Sequence, residues 1–162
     1  MSRHRLLKNF EGFTRVRVGA ILIENDSILL IRQMSLFDTT ISQFMPPGGG
    51  LNFQESIEAA VERECFEETG LSVKSRKLLY IHEFIFQQVH AVELFFLVER
   101  NSELPVVLGS DPELSESDQI IQELSWIPLT DLGYINFIPQ KLGNRLYDDY
   151  KTGFNLNPVH LK

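Results

Sequence analysis

The sequence predicts one mixed α/β domain, and three features of the chain indicate this fold class. Its 162 residues match the length of a single domain with a sizeable hydrophobic core. Several short apolar runs have the period of β-strands, and two longer runs have the period of helices. The composition, 43% hydrophobic and 23% charged, is that of a globular protein. We therefore expect residues 1–162 to form one domain in which helices cover a mixed sheet.

The first predicted elements are two strands joined by a tight turn. Residues 13–24 alternate apolar side chains with two arginines and a glycine, which is the period of a half-buried strand. Residues 25–27 (NDS) favour a turn, and residues 28–33 (ILLIRQ) indicate a buried partner strand. Residues 34–47 are expected to form a loop.

A helix and a β-hairpin are predicted for the middle of the chain. The helix covers about residues 56–69 and ends before Gly70, since glycine commonly follows the last helical turn. Residues 77–86 (KLLYIHEFIF) and 91–100 (AVELFFLVER) are rich in β-branched and aromatic residues. The short polar segment between them favours an antiparallel hairpin.

The C-terminal part is predicted to contain a strand, a helix and an irregular tail. The strand covers residues 120–129 (IIQELSWIPL), and residues 139–151 (PQKLGNRLYDDYK) have the pattern of a short amphipathic helix. Residues 152–162 have no regular pattern, so we expect them to be irregular.

The distribution of charge argues against a nucleic-acid polymer as a partner. The formal net charge is -7, and residues 101–140 contain seven acidic residues but no Lys, Arg or His. The rest of the chain has equal numbers of acidic and basic residues, so no uniformly basic face is expected. An acidic protein that binds a small phosphorylated molecule needs a cation between the two, and a divalent metal ion is the simplest candidate.

The sequence favours a cytoplasmic protein with no membrane partner. No apolar run approaches the roughly 20 residues that a membrane-spanning helix needs. The N-terminal segment MSRHRLLKNFEG lacks the apolar core of a signal peptide. Cys65 is the single cysteine, which excludes an internal disulfide and a multi-cysteine metal site. The sequence leaves open whether the protein is a monomer or a homodimer.

The segment from Gln43 to Ser56 (QFMPPGGGLNFQES) combines two prolines with three glycines directly before the predicted helix. Proline restricts the backbone, whereas glycine allows conformations and close approaches closed to other residues. The segment is therefore either a tight strand-to-helix connection or a loop whose backbone approaches a ligand or an ion. It is not a phosphate-binding P-loop, because no Lys-Ser/Thr pair follows the glycines.

Three glutamates of the predicted helix, Glu64, Glu67 and Glu68, fall on one side, beside its apolar face. Carboxylates crowded next to an apolar surface repel one another and are costly to desolvate, so a cation would stabilise them. Mg²⁺ binds oxygen ligands of this kind. The alternative is a solvated acidic patch, which is the interpretation we give to Glu58 and Glu62 on the far side of the helix.

The spacing of these residues resembles the Nudix box, G-x5-E-x7-R-E-U-x-E-E-x-G-U, in which U is a bulky aliphatic residue. Every fixed position has its residue, and Cys65 departs at a position where Ile, Leu or Val is usual. The matching residues are Gly49, Glu55, Arg63, Glu64, Glu67, Glu68, Gly70 and, at the final U, Leu71. The resemblance implies a Nudix hydrolase with an α/β/α sandwich fold, a mixed central sheet and a loop–helix–loop metal site.

The resemblance also implies a ligand set for Mg²⁺ or Mn²⁺. Glu64 and Glu68 would be the principal ligands, and Glu67 would complete the site directly or through water. The backbone carbonyl of Gly49 would add a ligand, and Arg63 would orient the carboxylates through its planar guanidinium. The catalytic residues would then be Glu67, Glu64 and Arg63. The residues that would support the loop are Glu55 and Gly48.

The reaction implied by the resemblance is hydrolysis of a nucleoside diphosphate linked to another moiety, at its pyrophosphate bond. ADP-ribose or a nucleotide sugar is the favoured substrate. The alternatives are a nucleoside triphosphate and a Nudix-fold sensor that binds a nucleotide without hydrolysis, while an isoprenoid-diphosphate isomerase fits the uninterrupted box less well. Removal of a proton from the attacking water requires a carboxylate, and Glu67, Glu113 and Glu116 compete for that role.

Arg32 and Glu93 are candidate substrate contacts, as are Glu113 and Glu116 of the acidic segment. Arg32 follows a buried strand and would either reach a substrate phosphate or form a structural ion pair. Glu93 interrupts an apolar strand and would face the site, unless strand alternation places it in solvent.

Several other residues are given structural interpretations. His82 and His90 flank the hairpin and are interpreted as surface or interface residues rather than catalytic groups. Cys65 is interpreted as a packed residue, since it lies inside the helix without an evident histidine partner. Four phenylalanines are assigned to the core, with stacking on a base as the alternative for one of them: Phe84, Phe86, Phe95 and Phe96.

Overall fold

The computed structural model describes residues 12–35, 37–38, 40–101, 103, 105–109, 121–155 and 157–161. These residues form a mixed sheet with an α-helix packed on each face. The strands are β1 (Thr14–Glu24), β2 (Ser27–Met34), β3 (Ser42–Met45), β4 (Val73–Phe86), β5 (Val89–Arg100), β6 (Ile121–Pro128) and β7 (Val159–Leu161). The helices are α1 (Ile57–Thr69), α2 (Gln140–Lys151) and a 3₁₀ helix at Leu129–Tyr134.

The strand order places β1 and β5 side by side in the middle of the sheet. The order is β3-β2-β1-β5-β4-β7, and β6 pairs with β2 outside this path. β1 runs parallel to β5, and β5 forms the predicted antiparallel hairpin with β4. Pairing across the three strands puts Arg17, Glu93 and His82 in one row, so their side chains share one face of the sheet.

The side-chain alternation of β1 divides the hydrophobic core into two layers. Val18, Ala20 and Leu22 lie in the layer under α1. Ile21 points to the opposite face and packs in the layer under α2, together with Leu142. Burial of both layers supplies the main stabilisation of the domain. The predicted layering, with a mixed sheet between helices, is confirmed.

Helix α1 begins and ends where the sequence predicts. The hydroxyl of Ser56 accepts a hydrogen bond from the N–H of Ala59 (3.2 Å) and so caps the N-terminus. Gly70 follows the helix in the left-handed conformation, and its N–H donates to the carbonyl of Phe66 (2.8 Å). Both ends of the helix that bears the box glutamates are therefore fixed by hydrogen bonds.

Residues 47–51, which we call the glycine loop, lie along the free edge of β1. The N–H of Val18 donates to the carbonyl of Gly49 (2.9 Å), and the N–H of Leu51 donates to the carbonyl of Val16 (3.0 Å). The loop thus continues the sheet on the side of β1 opposite to β5. This pairing brings the backbone of the glycine loop next to α1, so that the N–H of Gly48 reaches the carboxylate of Glu68.

Helix α2 is joined to the sheet by a buried polar network. The hydroxyl of Tyr80 on β4 donates to Asp149 (2.7 Å), and Arg145 pairs with the same carboxylate (2.6 Å). The amphipathic helix predicted for this part of the chain is confirmed. Neither α-helix in the described part of the chain is long and apolar enough to cross a membrane.

Three elements were not predicted. β3 lies within the expected loop at residues 34–47, β7 lies within the expected irregular tail, and the 3₁₀ helix follows β6. The two strands have four and three residues, too few to show a period of two in the sequence. β3 pairs with the preceding strand β2, and β7 pairs with the distant strand β4, so neither strand is apparent from the sequence of its own segment.

Two side-chain expectations were wrong. Phe86 is 44% exposed, and neither Phe86 nor the partly buried Phe84 belongs to the core, whereas Phe95 and Phe96 are buried as predicted. Glu62 is not a free solvated acid, because its carboxylate pairs with Lys74 (3.0 Å) and accepts from the N–H of Ser75 (3.1 Å). Glu62 therefore ties α1 to the start of β4.

Candidate active site

Arg63 is the centre of a hydrogen-bond network that joins α1 to the glycine loop. Its Nε and Nη2 donate to the two carboxylate oxygens of Glu55 (2.7 and 2.9 Å), which makes a bidentate pair. Nη2 also donates to the backbone carbonyl of Gly50 (3.0 Å). Nη1 donates to Glu64 (2.8 Å) and to Glu67 (3.0 Å). Arg63 thus connects the loop to two of the three carboxylates that the sequence singled out.

The carboxylate of Glu64 is buried against the backbone of the glycine loop. A Cβ atom at Gly49 would lie 2.5 Å from the carboxylate atoms of Glu64, so this approach requires glycine. Burial raises the pKa of Glu64, and the positive charges of Arg63 and Arg17 offset this effect only in part. The positive charges of the protein therefore compensate the negative charge of Glu64 only in part. A bound cation would compensate the remainder.

Glu68 and Glu67 differ in their access to solvent. Glu68 is buried, and its Oε2 accepts a hydrogen bond from the N–H of Gly48 (2.7 Å). The side chain of Glu67 is 27% exposed, compared with 10% for Glu64. All three carboxylates meet at the junction of α1 and the glycine loop, but Glu67 is the one that water reaches most easily.

The carboxylates at this junction fit a hard divalent cation in their chemistry. Mg²⁺ and Mn²⁺ prefer oxygen donors, which Glu64, Glu67 and Glu68 supply. The described residues do not already gather three His, Cys, Asp or Glu side chains around one point. In this structure Arg63 donates hydrogen bonds to Glu64 and Glu67 instead.

The carbonyl of Gly49 keeps capacity for a further partner. It accepts one hydrogen bond, from the N–H of Val18 (2.9 Å), and a carbonyl oxygen has two lone pairs. Its role as a metal ligand stays a prediction.

Residues 107–109 attach to the C-terminal end of α1. The N–H of Val107 donates to the carbonyl of Thr69 (2.9 Å), and the N–H of Gly109 donates to the carbonyl of Glu68 (2.9 Å). A Cβ atom at Gly109 would overlap the carbonyl oxygen of Glu67. Sequence reasoning missed this contact, for which Gly109 itself was the available signal. Among the sequence candidates, Glu113 and Glu116 lie outside the described residues.

A pocket opens beside the row that Arg17, Glu93 and His82 form across the sheet. The Nδ1 of His82 hydrogen-bonds with Glu93 (2.8 Å), and the Nε of Arg17 lies 3.6 Å from the other oxygen of Glu93. Phe84 and Phe37 also line this pocket, which we call the Glu93 pocket. The structure therefore brings the sequence candidate Glu93 to a concave site, and it adds Arg17, which needed the pairing of β1 with β5 to be found.

Three other sequence candidates lie elsewhere. Arg32 pairs with Glu123 (3.2 Å) and donates to Ser42 (3.3 Å), and it does not line the Glu93 pocket. His90 hydrogen-bonds with Glu83 (2.9 Å) on the exposed surface. Cys65 is buried in the core under α1, and burial raises the pKa of its thiol to about 11. The packing interpretation of Cys65 agrees with this position.

Comparison with known proteins places these features in a family. The NUDIX domain model matches residues 13–147. Over 73 residues the chain is 40% identical to an RNA pyrophosphohydrolase from Pasteurella multocida (strain Pm70), covering 45% of this chain and 34% of that protein. Over 87 residues it is 33% identical to an 8-oxo-dGTP diphosphatase from Escherichia coli (strain K12), covering 53% of this chain and 66% of that protein. The chain thus spans less than two thirds of the length of either curated relative.

A solved structure supports the same fold. The crystal structure of the MutT protein from Methanosarcina mazei Go1 superposes with a TM-score of 0.67 at 21% identity, covering 88% of this chain and 96% of that chain. At this level of identity the likeness concerns the fold alone. The family match, by contrast, covers most of the chain, including the glycine loop, α1 and the Glu93 pocket. The chain belongs to the Nudix family.

Proposed function

We propose that the protein is a metal-dependent pyrophosphohydrolase that cleaves a nucleoside diphosphate derivative at its pyrophosphate bond. The proposal rests on the group of carboxylates at the junction of α1 and the glycine loop. Arg63 joins Glu55, Glu64 and Glu67 in one network there, and Glu68 is fixed to the loop backbone. The intact set of carboxylates argues against a module that only binds a nucleotide.

In this proposal, Glu64, Glu68 and the carbonyl of Gly49 hold Mg²⁺ or Mn²⁺, and Glu67 contributes directly or through water. When bound, the ion would supply Lewis-acid chemistry at a phosphate oxygen and lower the pKa of a nearby water. The raised pKa of Glu64, caused by burial, supports a cation at this position, because the cation would compensate the buried charge.

Glu67 is our proposed general base. A base must reach the water whose proton it removes, and Glu67 is the most accessible of the three carboxylates. Arg63 donates to Glu67 (3.0 Å) and is therefore a positioning residue for it. Glu113 and Glu116 remain the competing candidates. If a Glu67→Gln variant kept its turnover, the role would pass to one of them.

The proposed substrate is a nucleotide that contains a phosphoanhydride. The sequence resemblance favours ADP-ribose or a nucleotide sugar. The name of one relative, an 8-oxo-dGTP diphosphatase, favours a nucleoside triphosphate, and that of the other, an RNA pyrophosphohydrolase, adds RNA to the candidates. The Glu93 pocket, with polar side chains beside the box and aromatic side chains farther away, supports a nucleoside as the other part of the substrate. All of these substrate classes belong in the test.

The test is hydrolysis by the purified protein with millimolar Mg²⁺ on ADP-ribose, UDP-glucose, GTP, dGTP and 5′-triphosphorylated RNA. We expect turnover of at least one of these, with products that identify the broken bond. Glu68→Gln keeps the size of the side chain but removes its charge, so turnover should fall by at least about 100-fold. Glu58→Gln is the matched control, because Glu58 is exposed on the same helix, and it should leave turnover unchanged. If the protein bound one of these nucleotides tightly but hydrolysed none of them, the alternative of a non-catalytic nucleotide sensor would replace our proposal.

A further inference from the structure

We infer that Glu93 binds the ribose hydroxyls of the substrate and makes the protein prefer ribonucleotides to 2′-deoxynucleotides. The inference rests on the proposed function, because that function places the phosphates at the box carboxylates. The Glu93 pocket then offers three successive environments for the three parts of a nucleotide. They are a cationic group beside the box, a carboxylate next to it, and an apolar region beyond.

Arg17 is the cationic group, and it lies between the box and Glu93. Its backbone forms a β-bridge with Gly50 of the glycine loop, which places Arg17 next to the box. On its other side, its Nε lies 3.6 Å from an oxygen of Glu93. A guanidinium in this position is suited to a substrate phosphate. The ribose is the next group along a nucleotide, so Glu93 is the next residue that the substrate meets.

Glu93 is held in place but keeps acceptor capacity. One oxygen hydrogen-bonds with Nδ1 of His82 (2.8 Å), and the distance from the other oxygen to Arg17 (3.6 Å) is longer than a hydrogen bond. An ionised carboxylate has about four acceptor sites, so most of those of Glu93 are available. The vicinal 2′- and 3′-hydroxyls of ribose offer two donors to such a group, whereas 2′-deoxyribose offers one.

The apolar region lies one row farther along this face of the sheet, at Ala91 and Phe84, in the row that also contains Arg15 of β1. These two residues pair across β5 and β4, and Phe37 packs beside Phe84 with ring centroids 5.8 Å apart. Small and aromatic side chains of this kind suit the face of a base. Gln33 also lines the pocket, is 8% exposed and makes no side-chain hydrogen bond with the described residues, so its amide is available to the edge of a base. With the base of the substrate in the apolar region and its phosphates at the box, the ribose between them faces Glu93.

The test compares ribose and deoxyribose ligands that the protein cannot hydrolyse. The probes are the α,β-methylene diphosphates of adenosine and guanosine and their 2′-deoxy forms, with affinities measured by calorimetry in Mg²⁺. The wild type should bind each ribose form at least about tenfold more tightly, the value of one hydrogen bond to a charged group. Glu93→Gln should lower that ratio about fivefold, because neutral hydrogen bonds are weaker. Glu83→Gln, which also removes a carboxylate paired with a histidine but on an exposed part of β4, should leave the ratio unchanged.

Three outcomes would overturn the inference. They are equal binding of ribose and deoxyribose forms, a ratio that Glu93→Gln does not change, and an altered preference between adenine and guanine instead, which would assign Glu93 to the base. If Glu93→Gln fails to fold, Glu93→Asp keeps the charge near Arg17 but withdraws the carboxylate, and it should also lower the ratio. A ribose preference without any hydrolysis would contradict the proposed function alone, and hydrolysis without a ribose preference would contradict this inference alone.

Discussion

Glu64 carries an electrostatic cost that the protein alone does not remove. Its carboxylate lies against Gly49, where burial raises its pKa, and its partner Arg63 is shared with Glu55 and Glu67. A divalent cation at this point would replace the shared guanidinium with a stronger partner. The charge of Glu64 should therefore lower the free energy of unfolding more in the metal-free protein than in the metal-bound protein. A stability measurement with and without metal tests this difference.

A Glu64→Gln variant should separate these two states. Without metal at pH 7, the free energy of unfolding should be equal to or higher than that of the wild type, because the amide carries no charge to bury. Millimolar Mn²⁺ should raise the melting temperature of the wild type by mass action, since only the folded protein has the site. The variant should respond much less. Equal responses of the two proteins to Mn²⁺ would exclude Glu64 as a ligand.

The same pair of proteins makes a prediction about pH. The pKa of Glu64 is raised in the folded protein, so the wild type loses stability as the pH rises from 4.5, the ordinary pKa of a glutamate, through the folded pKa. The variant lacks this loss. The stability advantage of Glu64→Gln in metal-free buffer should therefore be greatest at neutral pH and should shrink as the pH falls toward 4.5. An advantage that grew at acidic pH would contradict the burial argument.

At the scale of single residues, the sequence predicted that the three glutamates of the box lie on one side of a helix, because their spacing follows the helical period. Glu64, Glu67 and Glu68 are three or four positions apart or adjacent, so one helix is enough to place them together. The sequence did not identify Arg17 as a site residue, because its proximity to Glu93 depends on the pairing of β1 with β5. The partner of Glu62 was missed for the same reason, since Lys74 belongs to another element.

Among the elements, α1 determines the geometry of the candidate site because both of its ends are attached. Ser56 caps the start, and residues 107–109 bind the carbonyls of Glu68 and Thr69 at the end. The sequence predicted the bounds of this helix, and it predicted the end from the glycine that follows the last turn. It did not predict β3, β7 or the attachment of residues 107–109, because each depends on pairing with another segment of the chain. The partners are the preceding strand β2 for β3, β4 for β7 and the end of α1 for residues 107–109.

A Gly109→Ala variant tests whether residues 107–109 position the carboxylates. The added Cβ would overlap the carbonyl of Glu67, so we expect a loss of about 1–3 kcal/mol in the free energy of unfolding. At a temperature where the protein is still folded, turnover should fall about 10- to 100-fold, because the helix end that bears Glu67 and Glu68 would shift. Gly133→Ala is the control, since a Cβ at Gly133 would meet nothing within 4 Å. If Gly109→Ala lowered the stability but left turnover unchanged, residues 107–109 would have a structural role only.

At the scale of the whole molecule, the candidate site draws on both faces of the sheet, each of which is covered by one layer of the hydrophobic core. The layer under α1 fixes the carboxylates at one edge of β1, and the opposite face of the same strand supplies Arg17 to the Glu93 pocket. The strand period of residues 13–24 already predicted that apolar and charged side chains would point to opposite faces. Composition and length predicted a single mixed domain, but the order of the strands depends on long-range pairing and was first seen in the structure.

The most direct test of the central claim is hydrolysis in ¹⁸O-labelled water. The substrate from the panel with the highest turnover should be incubated with the wild type, once with Mg²⁺ and once with a chelator, and the products analysed by mass spectrometry. We predict that one phosphate-containing product acquires a single ¹⁸O atom with Mg²⁺ and that the chelator abolishes this, because water attacks phosphorus at a metal-dependent site. Product formed without label in phosphate, or labelling at the same rate in the chelator, would contradict a metal-dependent pyrophosphohydrolase.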